Sequence, residues 1–128
     1  QGLLTGSFRA GMEITGGRRR AALFQPGIYE KCLTVAEYLA RIGEKYGKNA
    51  AQICINWLVK NEGITAPIVG GANPAHALEN IAALDFELSA EDYDSIDEVS
   101  RNFCSQMPEY LLFFDTRTKE DFKEERGK

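Results

Sequence analysis

The stretch from Gly63 to Asn80, GITAPIVGGANPAHALEN, runs from a short apolar segment through two glycines into an Asn-Pro pair. Residues 64–69 are too few for a helix, include β-branched side chains and have glycine on either side, so they predict a strand. Both faces of this strand are apolar, as in buried parallel sheets. Asn73 can cap a following helix that begins at Pro74, where the missing N–H costs nothing. The stretch therefore predicts a strand, a glycine turn and a helix.

Helical patterns lie on both sides of this strand. Apolar residues recur at three- and four-residue steps between Tyr29 and Tyr46. A second apolar stripe follows a capping box formed by Asn49 and Gln52, and Ser89 begins another helix with carboxylates in its first turn. We therefore predict a loop over residues 1–28, helices within 29–62, a strand at 64–69, helices at 73–84 and 89–103, and a tail over 104–128.

The predicted strand has no neighbour. A strand that is apolar on both faces needs paired strands to satisfy its backbone groups and to cover its side chains. No other segment has a convincing strand pattern. The rest of the sheet is therefore expected either in another chain or in an upstream part of a longer protein.

Composition and charge argue against several classes of protein. The 128 residues suit a single domain, and a net charge of −4 gives no electrostatic footprint for nucleic acid or an anionic membrane. Residues 18–20, Arg-Arg-Arg, are expected to be a solvated loop. No apolar run is long enough to span a bilayer, and the first residues lack a signal-peptide pattern. Three widely spaced cysteines and one histidine argue against a disulfide framework or a zinc site. We expect a cytoplasmic protein without nucleic-acid or membrane partners.

Three segments resemble the C-terminal third of the aldo-keto reductases, in order and with the expected gaps. They are GLLTGSF at 2–8, GKNAAQICINWLVKNEGITAPIVGGANPAHALENIAAL at 47–84 and ELSAEDYDSIDEVSRNF at 87–103. The bacterial-type and potassium-channel β-subunit-like branches are the most similar. The resemblance implies an α/β fold, namely the C-terminal segment of a (β/α)8 TIM barrel, helix-rich as an isolated chain. On that template residues 64–69 are the last strand, and seven strands lie upstream of Gln1.

The resemblance also implies an activity. Family members reduce aldehydes and ketones by hydride transfer from NADPH, and a Tyr general acid, tuned by Lys and Asp with a His nearby, protonates the carbonyl oxygen. These four groups are expected upstream of this chain. His76 is not expected to be the catalytic histidine, because its position after Pro74 matches a cofactor-binding position. This chain should therefore supply cofactor binding to an enzyme with a small-molecule carbonyl substrate, and should have no reductase activity alone.

By resemblance, the cofactor contacts lie in two turns. Backbone groups after strand seven meet the pyrophosphate, where glycine allows close approach. The turn after the last strand meets the adenosine phosphate, and side chains beyond it hold the phosphate or the adenine. Free N–H groups at the start of the helix after Asn73 would attract an anion. The predicted cofactor-binding residues are Gly2, Leu3, Leu4, Thr5, Gly6, Gly70, Gly71, Ala72, His76, Glu79 and Asn80.

Two positions depart from the family's pattern. Family members often carry Arg at the position of Ala72 and Gln or Arg at that of His76, and such cations select the 2′-phosphate of NADP. Here the local cation is a histidine, which is at most partly protonated at neutral pH. These departures weaken the NADP preference that the resemblance implies. NADP stays the predicted cofactor, and NAD or mixed use is kept as the alternative.

A non-catalytic function is the alternative to the reductase. An aldo-keto-reductase-like subunit could bind a partner through the exposed edge of the strand at 64–69 and through the aromatic cluster at 110–114, Tyr110 to Phe114. Exposed strand edges and apolar faces both favour association. A bound nucleotide or a longer parent chain favours the reductase, whereas a stable 128-residue oligomer without nucleotide favours the interaction subunit.

Overall fold

The computed structural model describes residues 2–107, which form four α-helices and four short 3₁₀ turns. The α-helices are α1 (Ile28–Tyr46), α2 (Ala50–Lys60), α3 (Pro74–Ile81) and α4 (Ala90–Ser105). The 3₁₀ turns are Leu3–Thr5, Gly16–Arg20, Ala22–Phe24 and Ala82–Leu84. Three of these turns lie inside the segment that the sequence predicts as one loop, residues 1–28. The last turn continues α3, so the helix predicted at 73–84 is an α-helix followed by a tighter turn.

The strand predicted at residues 64–69 is absent from the described part of the chain. This segment has no regular secondary structure, and the side chain of Ile68 is fully exposed. Residues 2–107 contain helices and turns only, which agrees with the expectation that the isolated chain is helix-rich. The physical reason is that a strand becomes stable when its N–H and C=O groups pair with a neighbour, and none of the described residues supplies one.

A tight turn connects α1 to α2, and it depends on two glycines, Gly43 and Gly47. Gly47 has a φ of +62°, and the N–H of Lys48 donates to the carbonyl of Gly43 at 2.9 Å. A Cβ on Gly43 would lie 2.1 Å from the carbonyl oxygen of Lys48. α2 then begins with the predicted capping box, in which Asn49 and Gln52 exchange side-chain and backbone hydrogen bonds of 2.9 and 3.0 Å. The two helices can meet this closely because Gly43 has no side chain.

Gly43→Ala should lower the free energy of unfolding by about 1–3 kcal/mol, the usual cost of inserting atoms into filled space. The colliding atom belongs to the backbone and cannot rotate away, so either α1 or the turn must shift. Urea denaturation of the purified protein measures the difference. The control is Gly17→Ala, since no heavy atom lies within 4 Å of the added Cβ at that position. Equal destabilisation by the two substitutions would contradict the prediction.

Two apolar clusters join the helices. The first packs α1, α2 and α4 around Ile53, whose side chain is completely buried. The second packs the N-terminal turns against the start of α1. The N-terminal segment and α4 therefore both rest on the α1–α2 pair. The buried members are Leu39, Ile42, Ala50, Ile53, Leu88 and Ile96 in the first cluster and Leu3, Phe24, Tyr29, Cys32 and Leu33 in the second.

A polar cluster joins the end of α1 to the start of α4. The buried carboxylate of Asp92 accepts hydrogen bonds of 2.6 Å from Lys45 Nζ and 2.6 Å from the Tyr46 hydroxyl. The Tyr46 oxygen in turn accepts from the N–H of Ser89 at 3.0 Å, and Ser89 caps α4 by accepting from the N–H of Asp92 at 3.1 Å. The hydrogen bond from Lys45, followed by that from Tyr46, lowers the pKa of Asp92. The cluster therefore stabilises α4 as long as Asp92 is ionised.

Tyr46→Phe should lower the free energy of unfolding by about 1.5–3 kcal/mol at pH 7, because it removes a hydrogen bond to a charged group. The folded pKa of Asp92 is lowered, so its contribution is present above the unfolded pKa of about 3.9 and is lost as pH falls through the folded pKa. The difference between wild type and Tyr46→Phe should therefore shrink below about pH 4. Urea denaturation at pH 7, 5 and 3 tests this. Tyr38→Phe, on the same helix and outside this cluster, is the control and should show no such pH dependence. A pH-independent difference for Tyr46→Phe would contradict a stabilising hydrogen bond from Tyr46 to ionised Asp92.

Candidate cofactor site

The turn at residues 2–6 is bounded by glycine at both ends. Gly2 and Gly6 have φ values of +77° and +80°, in the left-handed region that favours glycine. The Thr5 hydroxyl donates to the carbonyl of Gly2 at 2.8 Å and lies 2.9 Å from the Ser7 hydroxyl. Because both contacts are made by the Thr5 hydroxyl, they stabilise the turn without using a backbone N–H group.

Two leucines anchor this turn to the helices. Leu3 is buried in the second apolar cluster, and Leu4 packs against the first. A Cβ on Gly6 would lie 3.9 Å from the Cβ of Ala50, the first residue of α2. Leu3 thus holds the turn on the start of α1, and Gly6 lies against the start of α2. Gly2, Thr5 and Gly6 stay exposed.

The second predicted turn, residues 70–72, is open to solvent. A Cβ on either Gly70 or Gly71 would have no heavy atom within 4 Å, so an external group has room to approach the backbone here. Asn80 Nδ2 donates to the carbonyl of Gly70 at 2.9 Å. A side chain of α3 therefore closes this turn.

α3 is capped by Asn73, as the sequence predicts, and the cap uses N–H groups that were expected to be free. Asn73 Oδ1 accepts from the N–H of Ala75 at 2.9 Å, and its carbonyl accepts from the N–H of Ala77 at 3.1 Å. Pro74 has no N–H. Within the described chain, the N–H of His76 alone is left without an acceptor at this helix start. The capacity of the helix start to attract an anion is therefore smaller than the sequence suggests.

Three side chains spaced four residues apart hold α3 and the turn after it. All three donate to backbone carbonyls near the end of α3, with distances of 2.8–3.0 Å. The sequence predicts only the capping role of Gln52, since Lys48 precedes α2 and residue spacing does not show which carbonyls these side chains meet. We call Lys48, Gln52 and Asn56 the polar ladder. Lys48 Nζ donates to Ala82, Gln52 Nε2 to Glu79, and Asn56 Nδ2 to both Ala83 and Phe86.

The turn at residues 2–6 and the helix α3 both contact the first turn of α2. Gly6 lies against Ala50, and two residues further along α2 the side chain of Gln52 donates to the carbonyl of Glu79. The structure therefore brings the turn at 2–6 and the helix that carries His76 to the same end of α2. The side chains of His76 and Glu79 are exposed, so they are free to meet a ligand.

Most of the predicted cofactor-binding residues lie on open surface, whereas Leu3 is buried and Leu4 and Asn80 are half-buried. One groove of the described region runs along α4, another lies between α2 and residues 84–87, and neither is lined by any of them. Between residues 2 and 107, no group of three or more His, Cys, Asp or Glu is placed to hold a metal ion. None of the helices described is both long enough and apolar enough to cross a membrane.

The thiols of Cys32 and Cys54 have raised pKa values. Burial raises the pKa of Cys32 to about 11 and also raises that of Cys54. Both thiols therefore stay protonated at neutral pH, which makes them poor nucleophiles.

Comparison with known proteins gives several relatives. L-glyceraldehyde 3-phosphate reductase of Escherichia coli O157:H7 is 31% identical over 104 residues, which are 77% of this chain and 30% of the relative. NADP-dependent D-sorbitol-6-phosphate dehydrogenase of Malus domestica is 34% identical over 67 residues, 52% of this chain and 21% of the relative. A protein of Schizosaccharomyces pombe, whose name assigns it to the voltage-gated potassium channel β subunits, is 28% identical over 107 residues, 77% of this chain and 30% of the relative.

The aligned region is therefore between 21% and 30% of the length of these relatives. No solved structure gives a significant match. The sequence model described as the Aldo/keto reductase family matches residues 1–101, and this confirms the family predicted from the three segments. With most of its length matched, the chain belongs to the aldo/keto reductase family.

Proposed function

We propose that this chain is the C-terminal, cofactor-binding portion of an NAD(P)H-dependent reductase of aldehydes or ketones. Two relatives support the reaction class by name, one as a reductase of a phosphorylated aldehyde and one as an NADP-dependent dehydrogenase of a phosphorylated sugar alcohol. The observation that carries the proposal is the common anchorage of the turn at 2–6 and of α3 on the first turn of α2.

The barrel assignment is part of the proposal. Residues 64–69 would be the last strand of a (β/α)8 barrel, paired with strands from a preceding part of the protein. The exposed side chains of Ile64, Ile68 and Val69 support this, because isolated apolar side chains of a strand become buried when a sheet forms around it. In this arrangement α3 is the last barrel helix and α4 is the C-terminal extension.

The residues present fit a dinucleotide in two places. The backbone of the turn from Gly2 to Gly6, whose two glycines are exposed, would hold the pyrophosphate, since glycine lets phosphate oxygens approach N–H groups without a Cβ in the way. Gly70, Gly71, Ala72 and the free N–H of His76 would hold the adenosine phosphate. Glu79 and the Oδ1 of Asn80, whose Nδ2 is already bonded to Gly70, would meet the adenine edge. When bound, the nicotinamide supplies the hydride for carbonyl reduction.

No residue of this chain is assigned to proton transfer. A Tyr, a Lys and an Asp do meet in the structure, as Tyr46, Lys45 and Asp92, and these are the residue types that family members use for catalysis. Here they are hydrogen-bonded to one another and to the cap of α4, so they stabilise the helix pair instead. The catalytic groups are therefore proposed to lie in the preceding part of the barrel.

Gly71→Val in the full-length protein should weaken NADP⁺ binding by at least about tenfold, because a branched side chain would occupy the space proposed for the adenosine phosphate. Isothermal titration with NADP⁺ measures this, and the loss of NADPH absorbance with nitrobenzaldehyde measures reduction. Gly17→Val is the matched control, since it also adds a side chain in open space. Unchanged NADP⁺ affinity in Gly71→Val, or no nucleotide binding by the wild type, would overturn the proposal.

A non-catalytic interaction subunit is the second candidate. It is supported by exposed apolar side chains on α3, where Leu78 and Ile81 are 69% and 61% exposed, together with Ile68. The aromatic cluster Tyr110 to Phe114 lies outside the described residues. Light scattering separates the two candidates, because this one requires a stable oligomer or a complex that forms without nucleotide.

A further inference from the structure

Residues 7–25 form a cationic loop beside the turn at 2–6. The loop contains four arginines and one glutamate, a net charge of +3 in a chain whose net charge is −4. The four arginine residues are exposed. The ion pairs formed within residues 2–107 include none of them, so no described carboxylate neutralises their charge. We call Arg9, Arg18, Arg19 and Arg20 the arginine patch.

An aromatic cluster anchors the loop and holds one of these arginines over a ring. Phe8 packs edge-on against Phe24 at 5.2 Å and against Tyr29 at 6.5 Å between ring centroids. The guanidinium carbon of Arg18 lies 5.6 Å from the centroid of Phe8. Arg9 follows Phe8 in the chain, and its carbonyl accepts from the Tyr29 hydroxyl at 2.9 Å. The loop is therefore anchored to the start of α1 through the Arg9 carbonyl, and it holds the Arg18 guanidinium over the Phe8 ring.

The patch is also fixed relative to the proposed cofactor turn. A Cβ on Gly2 would lie 4.0 Å from Cε2 of Phe8, so the ring under Arg18 borders that turn. Gln25 Nε2 donates to the carbonyl of Arg19 at 2.9 Å, which fixes the end of the 3₁₀ turn Gly16–Arg20. These contacts place the Arg18 side chain and the backbone of Arg19 beside the proposed cleft, and no described carboxylate forms an ion pair with the arginine patch.

We propose that the arginine patch binds the phosphate monoester of a phosphorylated aldehyde or ketone substrate, which rests on the proposed reductase function. The four cations of the loop are all arginine, and the planar guanidinium donates paired hydrogen bonds to phosphate oxygens. The pyrophosphate of the cofactor is assigned to backbone groups at 2–6, and the adenosine phosphate to residues 70–76 on the other segment. The patch is left for the substrate, whose reacting end must meet the nicotinamide in the same cleft.

The test is isothermal titration of the full-length protein with glycerol 3-phosphate, a phosphate monoester without a reactive carbonyl, and with glycerol. The variant combining Arg18→Gln, Arg19→Gln and Arg20→Gln should bind glycerol 3-phosphate at least about tenfold more weakly than wild type. Arg18→Lys should lose less, because the charge is retained without the planar fork. Added salt should weaken the wild-type interaction, since exposed charges are screened.

Arg41→Gln is the matched control. Arg41 also lies over an aromatic ring, with its guanidinium carbon 5.6 Å from the centroid of Tyr38, but it belongs to α1 and not to the loop at 7–25. Its removal should leave glycerol 3-phosphate binding unchanged. Equal weakening by Arg41→Gln would show a general charge effect and overturn the proposal.

A second titration with NADP⁺ and NAD⁺ separates the two sources of a phosphate monoester. Loss of NADP⁺ affinity in the triple variant, with glycerol 3-phosphate binding unchanged, would assign the patch to the 2′-phosphate of the cofactor and overturn the substrate assignment. Absence of glycerol 3-phosphate binding in the wild type would also overturn it. If the arginine patch bound glycerol 3-phosphate but the full-length protein had no reductase activity, the phosphate site would be supported and the proposed reductase function refuted. Thermal unfolding of each variant verifies that the fold is retained.

Discussion

Ala72→Arg should raise the affinity for NADP⁺ relative to NAD⁺ by about 10- to 100-fold, the effect of a charge-assisted hydrogen bond to the 2′-phosphate. Ala72 is exposed in the turn proposed to hold the adenosine phosphate. No non-glycine residue of the described chain has a positive φ, so the backbone at this position accepts an arginine without strain. The arginine would supply the cation that this turn lacks.

Ala72→Gln is the matched control for this cofactor prediction. Glutamine is also long and hydrogen-bonding but carries no charge, so it should change the NADP⁺ to NAD⁺ ratio by much less. Titration of both nucleotides into wild type, Ala72→Arg and Ala72→Gln measures the ratio. If Ala72→Arg improved the two nucleotides equally, its charge would not meet the 2′-phosphate, and residues 70–72 would have to be placed elsewhere on the dinucleotide.

The helices of this chain could be predicted from sequence because their signals are local. Apolar spacing, the Asn49–Gln52 capping box and the Asn73 and Ser89 caps lie within a few residues of the helix ends that they set. The segment at 64–69 also has a clear local pattern, but a strand forms only with hydrogen-bonding partners far along the chain or outside it. The same apolar side chains that predict burial are therefore exposed in residues 2–107.

For the glycine turns of the candidate site, too, local features could be predicted from sequence and long-range contacts could not. Local sequence predicts that the backbone at Gly2, Gly6, Gly70 and Gly71 can approach a ligand, and the structure adds how these turns are placed. The polar ladder was not predicted, because its hydrogen bonds join α2 to carbonyls some 27 or more residues away, and side-chain spacing does not show which backbone will be met. The arginine patch likewise shows in sequence only as a basic run, whereas its anchorage on Phe8 depends on packing.

α2 links the stability of the fold to the proposed cofactor site. Its apolar side, with Ile53 at the centre, belongs to the first cluster. Gln52 and Asn56 hold α3 and the turn that follows it. A change at the ladder should therefore alter folding and nucleotide affinity together, whereas a change at the exposed residues of 70–72 should alter affinity alone.

Asn56→Asp should lower the free energy of unfolding by about 3–5 kcal/mol at pH 7, the cost of leaving an unpaired charge buried. Asn56 is 4% exposed, and its Nδ2 donates to the carbonyls of Ala83 and Phe86 at 2.8 and 2.9 Å. Its Oδ1 has no partner among the described residues, so the side chain contributes through its two donors. The substitution keeps the shape of the side chain but places a carboxylate oxygen against two carbonyl oxygens.

The pH dependence of Asn56→Asp distinguishes this mechanism from a simple loss of packing. Burial beside two carbonyls raises the folded pKa of the new carboxyl, so the penalty grows as pH rises above about 4, where the unfolded carboxyl ionises, and is smallest below that pH. Asn102→Asp, on an exposed part of α4, adds the same charge and should change stability by no more than about 0.5 kcal/mol. Urea denaturation between pH 3 and 7 measures both variants. A small, pH-independent effect at Asn56 would show that the two donated hydrogen bonds do not hold the end of α3. Asn56 would then have no part in placing the proposed cofactor turn at residues 70–72.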